Sequence, residues 1–245
     1  VATKEKHALA GRSFSQGLLA QAGAVATADH PVVERIRAAG GIVHARTTSP
    51  EFSCATVTHS PMWGVTRNPW NLDRSPGGSS GGAGAALAAG LAPLATASDI
   101  AGATRLPAAF TGTVGYKAPY GRIPGLAPLS ADWYRGDGPM ARTVADTALL
   151  ANVMSGRHPG DHASFGGPGT LPLGYPDAGN AAGLRVALCL RLGDYPLDTA
   201  VEANTRAVGG GGEDPVGAGN GNGRFRCAAL PHFGSGITGR GCRLP

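Results

Sequence analysis

Charge is scarce in this sequence. Only 15% of its 245 residues are Asp, Glu, Lys or Arg, against roughly a quarter in ordinary globular chains. No basic run with interleaved aromatics occurs, so the net charge of +5 lacks the clustered face that nucleic-acid binding uses. Part of the excess lies near the end, where Arg224, Arg226, Arg240 and Arg243 outnumber Glu213 and Asp214. No nucleic-acid partner is expected. Cysteine is also sparse. Cys54, Cys189, Cys227 and Cys242 form no CxxC pair and no zinc spacing with the histidines, which points to free thiols, a reducing cytoplasmic setting and no metal. There is no apolar run of about 18 residues and no charged, apolar, small-residue leader at Val1. Neither a membrane partner nor secretion is expected, and Val rather than Met at position 1 implies missing upstream sequence.

Glycine is abundant, at 40 residues, while the hydrophobic share of 42% is ordinary. The length suits one sizeable domain or two small ones with a buried core. The glycines concentrate in Ser75-Pro76-Gly77-Gly78-Ser79-Ser80-Gly81-Gly82 and beyond Val208. The first run meets the Ala-rich stretch that follows it and reads as a tight loop feeding a helix, a setting where chemistry sits; a plain Gly/Ser linker is the alternative. Its downstream companion is Ser98-Asp99-Ile100-Ala101-Gly102-Ala103-Thr104-Arg105-Leu106-Pro107.

With Lys4 in the apolar start Val1-Ala2-Thr3, these stretches resemble the amidase signature family, from about Val1 to about Val208. Asn68-Pro69-Trp70-Asn71 and Gly115 to Pro124 also resemble it. The resemblance implies an α/β fold, a mixed and largely parallel sheet flanked by helices. It implies hydrolysis of a small-molecule amide by a Ser-Ser-Lys triad, with no cofactor. Lys4 would be the base and Ser79 the bridging serine on a cis peptide bond. Ile100, Ala101, Gly102 and Ala103 would supply oxyanion-hole N–H groups. Gly77, Gly78, Ser80, Gly81, Asp99 and Arg105 would support the loops. A serine needs a base in reach, and a lysine serves as base only when neutral, which burial favours.

One departure matters most. The family pattern Asp-x-Gly-Gly-Ser-x-Arg here reads Asp99-Ile100-Ala101-Gly102-Ala103-Thr104-Arg105, so Ala103 stands where the nucleophilic serine is expected. A methyl group cannot attack a carbonyl, and neither Ser98 nor Thr104 is expected to replace it. Catalysis is expected to be lost, whether by natural change or deliberate substitution. The alternatives are a non-catalytic amide-binding protein, a fragment truncated at both ends, or a subunit of tRNA-dependent transamidation. Oligomeric state is not indicated.

The chain in order reads as a strand ending at Lys4, then a loop from Glu5 to Gln16 in which His7 is a solvated residue. Asp29 caps a helix to Ala39, with Val32, Val33 and Ile36 on its apolar stripe. Ile42 to Ala45 is a strand, and Thr47 to Arg74 a long irregular segment. Gly81 to Gly90 is a helix, Ala92 to Ala97 a buried strand, Gly102 to Phe110 a short helix and Gly112 to Lys117 a strand. Gly138 to Asp146 opens a helix to about Met154, capped by Thr143, with Val144, Ala148 and Ala151 on its apolar face. Residues 155 to 182 are a linker, Leu184 to Leu190 a strand and Asp198 to Val208 a helix. The domain is placed at 1–208, and 209–245 is expected to be a disordered Gly-rich tail, the product of a reading-frame change.

Overall fold

In the computed structural model, which describes residues 1–166, 188–190 and 196–209, the chain divides into two units, Val1–Tyr175 and Pro176–Pro245. The first unit is built on a five-stranded sheet. Its strands are β1 (Ala2–Lys4), β2 (Ala45–Thr47), β5 (Leu94–Asp99), β6 (Val114–Gly115) and β7 (Gly136–Ala141), in the order β2-β1-β5-β7-β6. A 3-10 turn at Glu51–Ser53 and a separate hairpin of β3 (His59–Ser60) and β4 (Gly64–Val65) break the segment expected to be irregular from Thr47 to Arg74. β1 pairs in parallel with β2 and β5, whereas β7 runs antiparallel to both β5 and β6. Four strands therefore point one way and β7 alone the other, so the sheet is mixed and largely parallel.

Helices cover both faces. Alternate residues of a strand face opposite sides. Ala2, Ala95, Ala97 and Met140 pack with Ala83 and Leu87 of α2 (Gly81–Ala88). Val1 and Leu94 pack instead with Val32 and Ile36 of α1 (Pro31–Ala38) and with Leu150 and Met154 of α4 (Val144–Met154). α2 approaches so closely that a Cβ on Gly82 would lie 2.5 Å from the Thr48 carbonyl oxygen; small residues there are a packing requirement. α3 (Arg105–Thr111) follows β5.

Several boundaries differ from those read in the sequence. α1 is capped by His30, whose Nδ1 accepts from the Val32 N–H at 3.3 Å, while Asp29 binds the Ala10 N–H and Arg37. β2 starts at Ala45, and Ile42 is exposed. Thr143 does cap α4, and its hydroxyl and Asp146 bond reciprocally. Residues 138–141, however, belong to β7 rather than to that helix. The buried face of α4 is Thr147, Leu150, Ala151 and Met154, with Val144 exposed.

In the second unit the described helix is α5 (Thr199–Gly209), where Asp198 Oδ1 accepts from the Ala200 N–H at 2.8 Å. Leu188–Leu190 have no regular structure; the rest of the strand expected there, most of the 155–182 linker and the tail beyond Gly209 lie outside the described residues. No described helix is long and apolar enough to cross a membrane. Among the described residues Cys54 and Cys189 are exposed and form no disulfide.

Candidate active site

Lys4 ends β1 fully buried. Its Nζ lies 2.7 Å from Ser79 Oγ, 2.9 Å from Ser80 Oγ and 3.0 Å from Ser98 Oγ. Burial, reinforced by the positive charges of Lys6 and Arg135, pushes the Lys4 pKa well below the usual lysine range. As an ammonium Lys4 donates to all three hydroxyls; in its neutral form it would have two N–H donors and one lone pair, and one of the three serines would donate to it. Ser80 Oγ directs its own hydrogen to the Ser98 carbonyl oxygen at 3.3 Å and so accepts from Lys4. The Ser79 hydroxyl, at the shortest distance, is the best placed donor. Ser79 follows a cis Gly78–Ser79 peptide bond, and a Cβ on Gly78 would lie 2.5 Å from the Val57 carbonyl.

The second loop is wrapped around one carboxylate. Asp99 accepts from the N–H groups of Gly102 at 2.6 Å and Thr104 at 3.2 Å, and from the Arg105 guanidinium at 2.9 and 3.0 Å. Burial opposes ionisation of Asp99, yet these donors hold its pKa below the ordinary value. Arg105 thus supports the loop. Gly102 takes the positive φ of 107°, so Ala101 is not forced into that region. The Gly102 N–H is directed at Asp99, which removes it from the expected oxyanion donors. Among the described residues the N–H groups of Ile100, Ala101 and Ala103 have no such partner. The Ala103 carbonyl accepts from the Ser80 N–H at 3.3 Å, which ties the two loops together.

The sequence matches the family described as Amidase over residues 1–209. The chain belongs to the amidase signature family.

Its relatives include a 6-aminohexanoate-cyclic-dimer hydrolase of Paenarthrobacter ureafaciens, 43% identical over 190 residues, covering 74% of this chain and 38% of the relative. A glutamyl-tRNA(Gln) amidotransferase subunit of Mycobacterium tuberculosis is 46% identical over 159 residues, covering 64% of this chain and 32% of the relative. The solved peptide amidase of Stenotrophomonas maltophilia superposes with a TM-score of 0.63 at 34% identity, over 69% of this chain and 36% of that one. This amidase signature chain therefore spans well under half the length of these relatives.

A buried cluster beside Lys4 was not legible in the sequence. His7 is fully buried, not solvated: its Nδ1 lies 2.8 Å from Thr96 Oγ1, which also accepts the Lys4 N–H at 2.9 Å. Its Nε2 lies 3.0 Å from Asp137 Oδ1, which also meets Lys6 Nζ at 2.6 Å. His30 Nε2 is 3.6 Å from Asp137 Oδ2. Burial lowers the pKa of both histidines, so they are neutral. Burial opposes ionisation of Asp137, but Lys6 and the imidazoles hold its pKa well below the usual carboxylate range.

His7, His30 and Asp137 present ligand atoms within 4.8 Å of one another, a donor set that suits a divalent cation. Two contacts oppose one here. The Lys6 ammonium already occupies Asp137. The His30 Nδ1 accepts a backbone N–H, which puts its proton on Nε2, the atom that would have to bind metal.

Proposed function

We propose that this chain is an amidase-type carboxamide site whose base and relay, Lys4 and Ser79, are intact, and whose nucleophile position is filled by Ala103. As it stands, it binds amides without cleaving them. The observation that carries this reading is the contact of buried Lys4 Nζ with Ser79 Oγ at 2.7 Å, in a loop hydrogen-bonded to residue 103. With a serine at 103, its hydroxyl proton would pass to Ser79 Oγ as the Ser79 proton passes to neutral Lys4. The alkoxide would attack the amide carbon, and the N–H groups of Ile100, Ala101 and Ala103 would face the oxyanion. Collapse of the tetrahedral intermediate breaks the C–N bond, and the proton held by Lys4 returns to the leaving amine. Water then hydrolyses the acyl-enzyme. Losing a triad nucleophile costs on the order of 10⁶ in kcat.

The test is an assay of this chain and of Ala103→Ser on small aliphatic and aryl amides. Hydrolysis by Ala103→Ser alone is expected. Hydrolysis by the unaltered chain would overturn the reading. The 46% identity to a glutamyl-tRNA(Gln) amidotransferase subunit favours a second reading, in which the site serves amide transfer within a larger assembly. Ammonia release by isolated Ala103→Ser argues against it.

A further inference from the structure

A cavity of about 580 Å³ opens in the first unit. Its wall includes the apolar side chains of Phe14, Phe52, Ile123 and Leu129, with Lys6, Asp137 and Arg135 among its charged members. None of Lys4, Ser79 or Ala103 lines it, and its relation to the Lys4 centre runs through β7, the neighbour of β5. Asp137 pairs with Ser98 and Gly136 with Asp99 across β5 and β7, so Arg135 lies at the strand end where the 99–105 loop begins. Two wall residues, Gln16 and Phe52, hold left-handed backbones with φ of 52° and 51°, and the Phe52 N–H donates to the Gln16 carbonyl at 2.9 Å. Such conformations cost energy in non-glycine residues and cluster at ligand sites.

The charges of this wall pair off, with one exception. Asp137 holds Lys6. Asp29 accepts from the Ala10 N–H and from Arg37. Asp161 uses one oxygen for the Gly125 N–H and the other for the Ala163 N–H. His30 is neutral. The partly buried Arg135 guanidinium has no acceptor among the described residues, and its Nε is enclosed without a partner. An enclosed guanidinium nitrogen without an acceptor is unfavourable, and the guanidinium fork matches a carboxylate through two parallel hydrogen bonds.

We propose that the ligand of this site is an amide carrying a carboxylate remote from the scissile bond, and that Arg135 receives that carboxylate while the apolar wall takes the intervening hydrocarbon. A monoanion matches the one cation of this wall that has no acceptor among the described residues. A dianionic phosphate would meet Asp29, Asp137 and Asp161 around the same cavity. The substrate assignment rests on the amidase reading; the binding of the carboxylate does not.

Because Ala103 prevents turnover in that reading, binding can be measured on the chain as it is. Calorimetric titration with 4-acetamidobenzoate, its methyl ester and 4-acetamidophenyl phosphate is expected to favour the carboxylate over both others by about tenfold or more, as for a hydrogen bond to a charged group. Arg135→Gln should erase the preference over the ester, and Arg135→Lys should keep part of it. Equal binding of acid and ester, or a preference that survives Arg135→Gln, overturns the proposal. Turnover by Ala103→Ser separates the two readings. If it cleaves acid and ester equally, and Arg135→Gln changes neither, the amidase reading stands and the carboxylate site falls. If it cleaves neither, while the acid still binds in an Arg135-dependent way, the amidase reading falls and the carboxylate site stands.

Discussion

The Ser80 N–H donates to the Ala103 carbonyl at 3.3 Å, so the residue after Ser79 is clamped to the backbone of residue 103. That backbone bond does not depend on the side chain at 103. Activity gained by Ala103→Ser should therefore depend on Ser79 as part of one unit. In the Ala103→Ser/Ser79→Ala double variant, amide hydrolysis is expected to return to the level of the unaltered chain, because triad members act together rather than additively. Retention of most of the gained rate would remove Ser79 from the relay.

The lowered pKa of Lys4 has two readouts. In Ala103→Ser, kcat/KM should fall as pH drops through the Lys4 value, since only the neutral amine accepts a proton. Stability should also respond. Between the folded pKa and the ordinary lysine value the unfolded chain binds a proton that the folded chain does not, so stability rises with pH across that window. The slope reaches about 1.4 kcal/mol per pH unit for one proton. Lys4→Met should flatten it, as read from urea unfolding at several pH values; an unchanged slope would mean that Lys4 is not the group concerned.

Much of this was legible locally. The apolar start delivering Lys4, the Ala-rich helix after the Gly-Ser loop and the Thr143 cap all follow from short-range rules, and the structure has β1, α2 and α4 in those places. β7 was not legible, because Gly138 and Pro139 read as the opening of the helix that runs to Met154, and proline is excluded from most interior strands. The glycine has a tertiary reason: a Cβ on Gly138 would lie against the Tyr116 carbonyl oxygen, whose own N–H donates to the Pro139 carbonyl at 3.1 Å. His7 was misread for the same kind of reason, since its partners Thr96 and Asp137 come from distant strands. With Asp137 unplaced, neither the buried cluster nor the cavity beside it could be foreseen.

Asp137 carries the buried cluster, and Asp137→Asn leaves the Lys6 ammonium buried without its counter-charge. A loss of about 3–5 kcal/mol is expected, measured by urea unfolding at neutral pH. Its folded pKa lies below the unfolded value, so its contribution is present above the ordinary aspartate range and fades as pH falls through the folded value. The acid limb of the stability curve should shrink in the variant. A loss under 1 kcal/mol would mean that water reaches Lys6.

Gly82 offers a test with a sign. Replacing glycine by alanine inside a helix ordinarily stabilises by about 1 kcal/mol. Here the added methyl meets the Thr48 backbone, so Gly82→Ala is expected to destabilise by about 1–3 kcal/mol. Gly23→Ala, whose Cβ would meet nothing within 4 Å, should stay within about 0.5 kcal/mol of the parent. Stabilisation by Gly82→Ala would show that α2 can withdraw from the sheet.

The three serines around Lys4 all lie outside position 103, and among the described residues the one there contributes only its carbonyl to the hydrogen bonding. Selection for folding therefore has no hold on a hydroxyl at that position. Alanine and serine codons can be separated by a single base, so in the proposed reading one mutational step would lose or regain the reaction, with the surrounding hydrogen bonds kept in place by the demands of folding.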